Sequence, residues 1–525
     1  MTVLRGRHAN LGAALAAAAA QFGDRDAYVD PSVRLTFAQW DAAADAFAGA
    51  LVARGIAMGD VIAIGLPSSA GFAVAYAGGL RCGAVVTGVN TRLGPSEIAG
   101  ILRASGAAVL IGDLPTEAPI DRIDGAESAR IMGAGGAHGE RARREPARTD
   151  PAVIIWTSGT TGAPKGAWYD HAGLEAAAHS SGIMSAPFDR RLVATPFAHA
   201  GYMAKVWDQI AWGTAFVVPP QPWSAASTAS LLRDERVSVA SLVPTQWEKM
   251  LEHGAGAHPY PDLRIGTAAT APASPALVDS VRTRLGVPLV VRYAMTESPS
   301  ITGTKPDEPA YIQFHTVGRP QAGMQLRIVD GHGAVVPTGE VGDIETRGAC
   351  VMRGYWRDDA ATAQSLTEDG WLRTGDLGYL SPKGHLILTG RRGDMYIRGG
   401  YNVYPMEVEK VLATHPDVAQ VAVVGVRAPV IGEIGVAFAV PSPGRTPTLE
   451  SLRAHVKAEL ADYKAPERLI VVDSLPLTPM LKVDRAALKR IASTEAQTRQ
   501  SASLAPTAPS NSRVLSQSNS VETCA

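Results

Sequence analysis

The sequence predicts an α/β protein with a large N-terminal domain and a smaller C-terminal one, and three observations carry that reading. From residue 35 onward, short apolar runs alternate with helical patterns, as expected of strand–helix units around a largely parallel sheet. After about residue 315 the pattern changes to short strands separated by Gly, Pro and Asp turns. From Asp394 a further α/β pattern begins, which places a domain boundary at residues 392–394.

Each element has its own justification. Residues 11–22 are alanine-rich and read as an opening helix, not a signal-peptide core. No clear cleavage site follows, and Gly23-Asp24-Arg25-Asp26 ends the run as a helix stop would. Strands are predicted at 61–66, 84–89 and 107–111, with a helix at 70–80. Residues 112–150 are polar and rich in Gly, Ala and Arg, and read as a connecting loop. Strands resume at 153–156, 215–218, 239–243 and 289–293. The β-rich stretch contributes 326–329, 342–347 and 385–388. In the C-terminal part, 407–414 and 449–460 read as helices and 418–426 and 435–440 as strands. From Ala496 the chain is rich in Ser, Thr, Gln, Ala and Pro and nearly free of large apolar side chains. Such a segment buries too little surface to offset the entropy of ordering, so 496–525 is expected to be a disordered tail. The domains are thus expected at 1–392 and 393–495.

Composition narrows the function classes. The 525 residues are 46% hydrophobic and 19% charged with a formal net charge of −1, which argues against nucleic acid or an anionic membrane as the main partner. The run at 73–86 is too short to span a bilayer and is interrupted by Arg81. Cys82, Cys350 and Cys524 are far apart and odd in number. They form neither a disulfide framework nor a metal cluster, which suits a reducing cytoplasm.

The chemistry is concentrated in a few segments. Residues 157–166 read Thr-Ser-Gly-Thr-Thr-Gly-Ala-Pro-Lys-Gly, directly after an apolar strand. Glycines let backbone N–H groups turn toward an anion, hydroxyls donate further hydrogen bonds and lysine adds a point charge, so the loop is suited to polyphosphate. It is not of the G-x-x-x-x-G-K-[ST] type, because Gly166 follows Lys165 where a hydroxyl residue belongs. Taken alone it also fits a polar surface loop. Five further segments accompany it: Thr195-Pro196-Phe197-Ala198-His199; Tyr293-Ala294-Met295-Thr296-Glu297; Thr374-Gly375-Asp376 in a turn; Gly390-Arg391-Arg392-Gly393-Asp394 followed by Gly399-Gly400-Tyr401; and Leu481-Lys482-Val483-Asp484-Arg485. Individually each has a structural reading: a core histidine for His199, a solvated charge for Lys482, a turn cap for Asp376.

As an ordered set, these segments resemble the adenylate-forming superfamily of acyl-CoA synthetases, luciferases and peptide-synthetase adenylation domains, over roughly residues 10–490. The resemblance implies a large N-terminal domain of two α/β sheets plus a distorted β-barrel, with a small α+β C-terminal domain as a mobile lid. It implies an AMP-forming acid–thiol ligase: a carboxylate attacks the α-phosphate of Mg-ATP to give acyl-adenylate and pyrophosphate, and a thiol then displaces AMP. The substrates and cofactors are therefore ATP, Mg²⁺, CoA and a small carboxylic acid. A carrier-protein pantetheine is the alternative acceptor, and the enzyme would be a monomer or homodimer.

By the same resemblance, Thr157, Ser158, Gly159, Thr160, Thr161, Gly162 and Lys165 grip the β- and γ-phosphates, Thr296 meets the α-phosphate and Glu297 holds Mg²⁺. Ala269, Thr270, Ala271 and Tyr293 contact adenine, and Asp376 and Arg391 the ribose. Lys482 bridges carboxylate and α-phosphate, His199 gates the acyl carboxylate, and Gly399 and Gly400 line the pantetheine tunnel. Three positions depart from the usual pattern: Leu481 and Ala294 replace glycines, and Gly393 stands at the hinge in place of Asp or Lys. Leu481 and Gly393 motivate a competing reading as a non-catalytic nucleotide-binding scaffold. Amino-acid activation is disfavoured, because Ala198 stands where an Asp beside the Phe would hold an ammonium group. The presumed pocket segments 199–206 and 268–273 are mostly small or apolar, with Lys205 the only cation. That pattern suggests an apolar monocarboxylate of medium-chain, alicyclic or aromatic type. Trp207, Trp212 and Trp223 line the acyl pocket or fill core.

Overall fold

A computed structural model describes residues 2–117, 119–133, 143–157, 164–253, 259–268, 275–428, 431–478 and 483–503. The α/β expectation holds, with four sheets and a separate C-terminal domain. The first sheet has seven strands. Val61–Ile64, Val85–Gly88, Val109–Ile111 and Asp121–Ile123 run parallel, and Pro151–Thr157 joins parallel to Val85–Gly88. Lys165–Asp170 then turns back antiparallel and pairs with Gly354–Tyr355. The second sheet has nine strands. Its centre is parallel (Arg190–Val193, Ala215–Val217, Val239–Leu242, Ile265–Ala268, Leu289–Met295), and antiparallel strands close both edges. The sheets are therefore mixed, not uniformly parallel.

The helices predicted at 11–22 and 70–80, together with Phe37–Ala53, pack between these sheets. Asn10 accepts a hydrogen bond from Ala13 N–H to open helix Leu11–Phe22, and Thr36 with Gln39 forms a capping box for Phe37–Ala53. Helices Phe37–Ala53 and Ala70–Arg81 meet through small residues. A Cβ on Gly78 would lie 2.7 Å from Phe47 Cβ and 3.0 Å from the Ala44 carbonyl, and one on Gly79 would strike Ile62 at 2.4 Å. Glycine is required at both positions because helix and sheet come this close. Trp40, Phe47, Phe72, Tyr76 and Tyr202, all fully buried, fill the space around them. Trp207 is 3% exposed and belongs to the same core, so it fills rather than lines. Trp212 packs against that core as well.

The β-rich stretch expected after residue 315 is a four-stranded antiparallel sheet: Met324–Val329, Gly342–Gly348, Leu372–Leu380 and Leu386–Arg391. The last of these strands leads into the C-terminal domain. There Val418–Ala428 and Gly432–Pro441 form a long hairpin flanked by Tyr396–Arg398, Tyr401–Val403 and Arg468–Val471. Helices Pro405–Leu412 and Leu449–Glu459 cover the sheet through Val408, Leu412, Leu452 and Val456.

Three local expectations need correction. Within 112–150, read as loop, the chain forms strand Asp121–Ile123 and helix Gly125–Gly133. The strand has three residues with two charged side chains, and the apolar period of the helix is diluted by glycine and serine, so neither leaves a sequence signal. Thr374-Gly375-Asp376 lies inside strand Leu372–Leu380 instead of in a turn. Gly375 takes φ +74° within the register shift between Arg373 and Leu377 in the pairing with Gly342–Gly348, so the glycine marks an irregularity within the strand. At the C-terminus, helix Arg485–Ser503 continues past Ala496, where the tail was expected to begin. Its residues 494–503 lack Gly and Pro and include Ala, Glu, Gln and Arg, which favour helix.

Candidate active site

Tyr293, Thr296, Glu297, Asp376, Arg391 and Lys165 lie where the edge of the nine-stranded sheet meets the four-stranded sheet and the Lys165–Asp170 hairpin, whereas His199 and the Gly399-Gly400 turn stand on other elements. Thr296 and Glu297 form the tight turn between strands Leu289–Met295 and Ser298–Gly303. The turn is fixed from two sides: Tyr169 O–H donates to the Thr296 carbonyl at 2.6 Å, and Met352 N–H to the Glu297 carbonyl at 2.9 Å. Glu297 is 8% exposed, and its Oε1 accepts a hydrogen bond from Tyr355 O–H at 2.7 Å. The Tyr355 ring in turn faces the Lys165 ammonium, 5.2 Å from the ring centroid, within cation–π reach. Burial and the neighbouring Glu297 carboxylate both push the Tyr355 phenol up, so it stays protonated as a donor. Tyr355 thus ties the carboxylate to the lysine that ends the Gly/Thr loop. Thr157 and Lys165 are opposite each other across the hairpin at the base of that loop.

A second cluster is built on Asp376. Strand pairing sets Asp376 opposite Arg391, whose Nε donates to Asp376 Oδ1 at 3.0 Å. Tyr293 O–H donates to Asp376 Oδ2 at 2.5 Å. Burial pushes the Tyr293 phenol well up, and the Asp376 carboxylate adds to it. Burial works against the Arg391 guanidinium, but Asp376 and Asp394 outweigh it and hold its pKa up. One side chain from each of two sheets therefore converges on a single carboxylate.

His199 is the N-cap of the short helix Ala200–Met203, its Nδ1 accepting from Gly201 N–H at 3.1 Å. The turn before it is seated firmly. Phe197 N–H donates to Ser68 Oγ at 3.0 Å, and the Phe197 ring stacks on Tyr202 at 3.7 Å between centroids. Beneath them Tyr28 O–H donates to Gln209 Oε1 at 2.7 Å and meets Tyr202 O–H at 2.8 Å, so the Tyr202 hydroxyl is the donor of that pair.

Gly399 and Gly400 form the turn between strands Tyr396–Arg398 and Tyr401–Val403, with φ of +54° and +88°. Gly393 has nothing within 4 Å of a would-be Cβ, so a side chain fits at that position. Ala294 is exposed. Glu407 pairs with Lys464 and Glu409 with Arg485, which are ties within the C-terminal domain. Residues Ser158, Gly159, Thr160, Thr161, Gly162, Ala269, Thr270, Ala271, Leu481 and Lys482 lie outside the described residues.

Sequence reasoning missed Tyr169, Tyr355, Tyr202 and Ser68. None sits in a motif, and Tyr355 reaches Glu297 across 58 residues, so only folding reveals the pair. As for a metal, the donor set is one buried carboxylate among hydroxyls and a lysine. Among the described residues, no three His, Cys, Asp or Glu side chains gather into a metal-binding group. That chemistry fits Mg²⁺ carried in on a nucleotide, which takes one or two carboxylates plus phosphate oxygens, and does not fit a cage built by protein alone.

Comparison with known proteins now decides the family. Residues 15–356 match the AMP-binding enzyme family and residues 407–482 the AMP-binding enzyme C-terminal domain. The chain belongs to the adenylate-forming AMP-binding enzymes. It is 32% identical over 512 residues to a methyl-dioxo-octahydroindenyl-propanoyl:CoA ligase of Rhodococcus jostii, covering 91% of this chain and 97% of that one. It is likewise 32% identical to an indoleacetate–CoA ligase of Aromatoleum aromaticum, over 88% and 94% of the two chains. Among solved structures, the o-succinylbenzoate CoA synthetase of Bacillus subtilis in complex with its acyl-adenylate superposes with a TM-score of 0.81 at 28% identity. That alignment covers 92% of this chain and 98% of that one.

Proposed function

We propose that this AMP-forming acid–thiol ligase joins an apolar-bodied monocarboxylic acid to CoA through an acyl-adenylate. The observation that carries the reading is the pairing of a buried, tyrosine-anchored Glu297 beside Lys165 with a separate Asp376 clamp. One suits the metal–polyphosphate end of ATP and the other its ribose. The acid class rests on the apolar segment after His199 and on relatives named for alicyclic and indole acids.

In the first half-reaction the acid's carboxylate oxygen forms a bond to the α-phosphorus as the bond to pyrophosphate breaks. In the second, the CoA thiol sulfur attacks the acyl carbon and AMP leaves with the electron pair. Lys165 and the 157–162 segment would hold the β- and γ-phosphates, and Thr296 the α-phosphate. Glu297 would hold Mg²⁺, which when bound neutralises developing phosphate charge. The ribose hydroxyls would donate to Asp376, whose geometry Tyr293 and Arg391 set. Residues 269–271 would flank adenine. Lys482 would bridge carboxylate and α-phosphate, with His199 beside the acyl carboxylate. Gly399 and Gly400 would approach the pantetheine arm after the C-terminal domain, taken as 393–495, rotates about Gly393. A cytoplasmic enzyme, monomeric or homodimeric, is the form this reading implies. Among the described residues no helix is long and apolar enough to cross a membrane.

The test is pyrophosphate release and thioester formation with Mg-ATP, CoA and a panel of medium-chain, alicyclic and aromatic acids. A carrier-protein arm, motivated by a relative named as a fatty acid–[acyl-carrier-protein] ligase of Streptomyces coeruleorubidus, compares acceptors. ATP binding without turnover of any acid would sink the ligase reading in favour of a scaffold.

A further inference from the structure

Two tyrosines hold the Thr296-Glu297 turn, and they hold different things. Tyr169 O–H donates to the Thr296 carbonyl at 2.6 Å, so it fixes the backbone and leaves the Glu297 side chain to turn. Tyr355 O–H donates to Glu297 Oε1 at 2.7 Å, and both residues are buried. Among the described residues, Oε2 of the same carboxylate accepts no hydrogen bond and enters no ion pair. The carboxylate is therefore half committed. One oxygen is held by the protein and the other is left for a ligand.

Tyr355 is itself locked to the strand under the Gly/Thr loop. Gly354 and Tyr355 pair with Trp168 and Ala167, and Trp356 N–H donates to the Gly166 carbonyl at 2.7 Å. From the same short strand, Tyr355 N–H donates to Thr362 Oγ1 at 2.8 Å. The Lys165 ammonium lies 5.2 Å from the Tyr355 ring centroid. One side chain thus does two separable things: its hydroxyl orients a carboxylate and its ring steadies a cation. A carboxylate oriented by a second group binds a metal more tightly than one free to rotate, because no rotational freedom is lost on binding.

We propose that Tyr355 is a positioning residue for the adenylation half-reaction. It fixes Glu297 so that Oε2 takes the Mg²⁺ of Mg-ATP, and it keeps Lys165 beside that carboxylate, coupling the metal to the polyphosphate grip. This deepens the ligase reading and rests on it, specifically on Glu297 as the metal's ligand. Tyr355 touches no reacting atom, and no bond change or proton passes through it. Its influence ends with pyrophosphate release, because thioester formation from the acyl-adenylate involves no metal-bound polyphosphate.

The experiment is calorimetry without any acid, giving the affinity for Mg-ATP and for ATP in EDTA. The wild-type chain is compared with Tyr355→Phe, Tyr355→Leu, Glu297→Gln and the double variant Tyr355→Phe/Glu297→Gln. Tyr355→Phe keeps the ring and loses the hydroxyl, and is expected to weaken Mg-ATP binding about tenfold while leaving metal-free ATP unchanged. Tyr355→Leu loses the ring too and should weaken metal-free ATP as well; no such loss would overturn the coupling to Lys165. On the Glu297→Gln background, Tyr355→Phe should add almost nothing, since the carboxylate it orients is gone. In turnover, Tyr355→Phe should move the Mg²⁺ dependence of pyrophosphate release to higher concentration. Supplied acyl-adenylate should still give thioester at the wild-type rate. Equal weakening of both ATP forms by Tyr355→Phe, additive losses in the double variant, or equal loss of both half-reactions would each overturn the proposal. A lower Tm with Mg-ATP selectivity intact would also overturn it, marking the hydroxyl as structural. A responsive Glu297→Gln beside an unresponsive Tyr355→Phe rejects this proposal alone. If Glu297→Gln leaves Mg-ATP selectivity intact, the metal assignment fails and the proposal with it. A wild type that binds Mg-ATP yet releases no pyrophosphate with any acid rejects the ligase reading and, with it, any adenylation role for Tyr355.

Discussion

The nucleotide end and the acyl end of the site are built on opposite principles. At the nucleotide end both carboxylates described have hydrogen-bonded protein partners before any ligand arrives. Asp376 sits between Tyr293 and Arg391, and Glu297 is anchored by Tyr355. At the proposed acyl end the aromatic seat under Phe197 is equally firm, but it is built from rings and hydroxyls instead of paired charges. Paired groups position a substrate common to a whole reaction class, since their geometry is settled in advance.

The sharpest break in the comparison would come from outside both ends. Lys482→Ala is expected to lower adenylate formation by at least about 10³-fold while largely sparing thioester formation from supplied acyl-adenylate, as measured by pyrophosphate release and by product formation. Equal loss of both half-reactions would mean that the lysine serves the fold. Next, Glu297→Gln should lower adenylation by about 10²-fold with a rightward shift in Mg²⁺ dependence, since a neutral amide attracts the cation far less. An unshifted Mg²⁺ titration would place the metal elsewhere. Asp376→Asn keeps the shape but removes the charge that orders Tyr293 and Arg391. Loss of a charge-assisted hydrogen bond costs about 1.5–3 kcal/mol, or roughly 10- to 100-fold in the KM for ATP. An effect on the KM for the acid instead would contradict the division of the site.

The smallest effect expected is on stability. Tyr202→Phe removes one buried hydrogen bond and should cost about 1 kcal/mol by denaturant unfolding, with little change in nucleotide affinity.

Much of the fold was legible because the buried strands are apolar on both faces. The runs at 61–66, 84–89 and 289–293 can hardly be anything but interior strands or helices, and turn residues at their ends decide between the two. Strand Asp121–Ile123 escaped because it is short, charged and at a sheet edge. Asp376 stood out as a candidate site residue from Thr-Gly-Asp, yet its setting was misread, since a glycine inside a strand looks like a turn until the partner strand is seen. Tyr355 carried no signal at all. It earns its place only when strand Gly354–Tyr355 docks on the hairpin edge beside Lys165.

By itself, then, the sequence determined the fold class and the family and nominated the groups proposed to meet ATP, because those depend on local pattern and on short motifs with fixed chemistry. Tertiary structure alone decided how those groups are held. Tyr293 meeting Asp376 across 83 residues and Tyr355 meeting Glu297 across 58 are long-range pairings. A charge's partner is set by where the chain returns in space, and no local window of sequence contains that information.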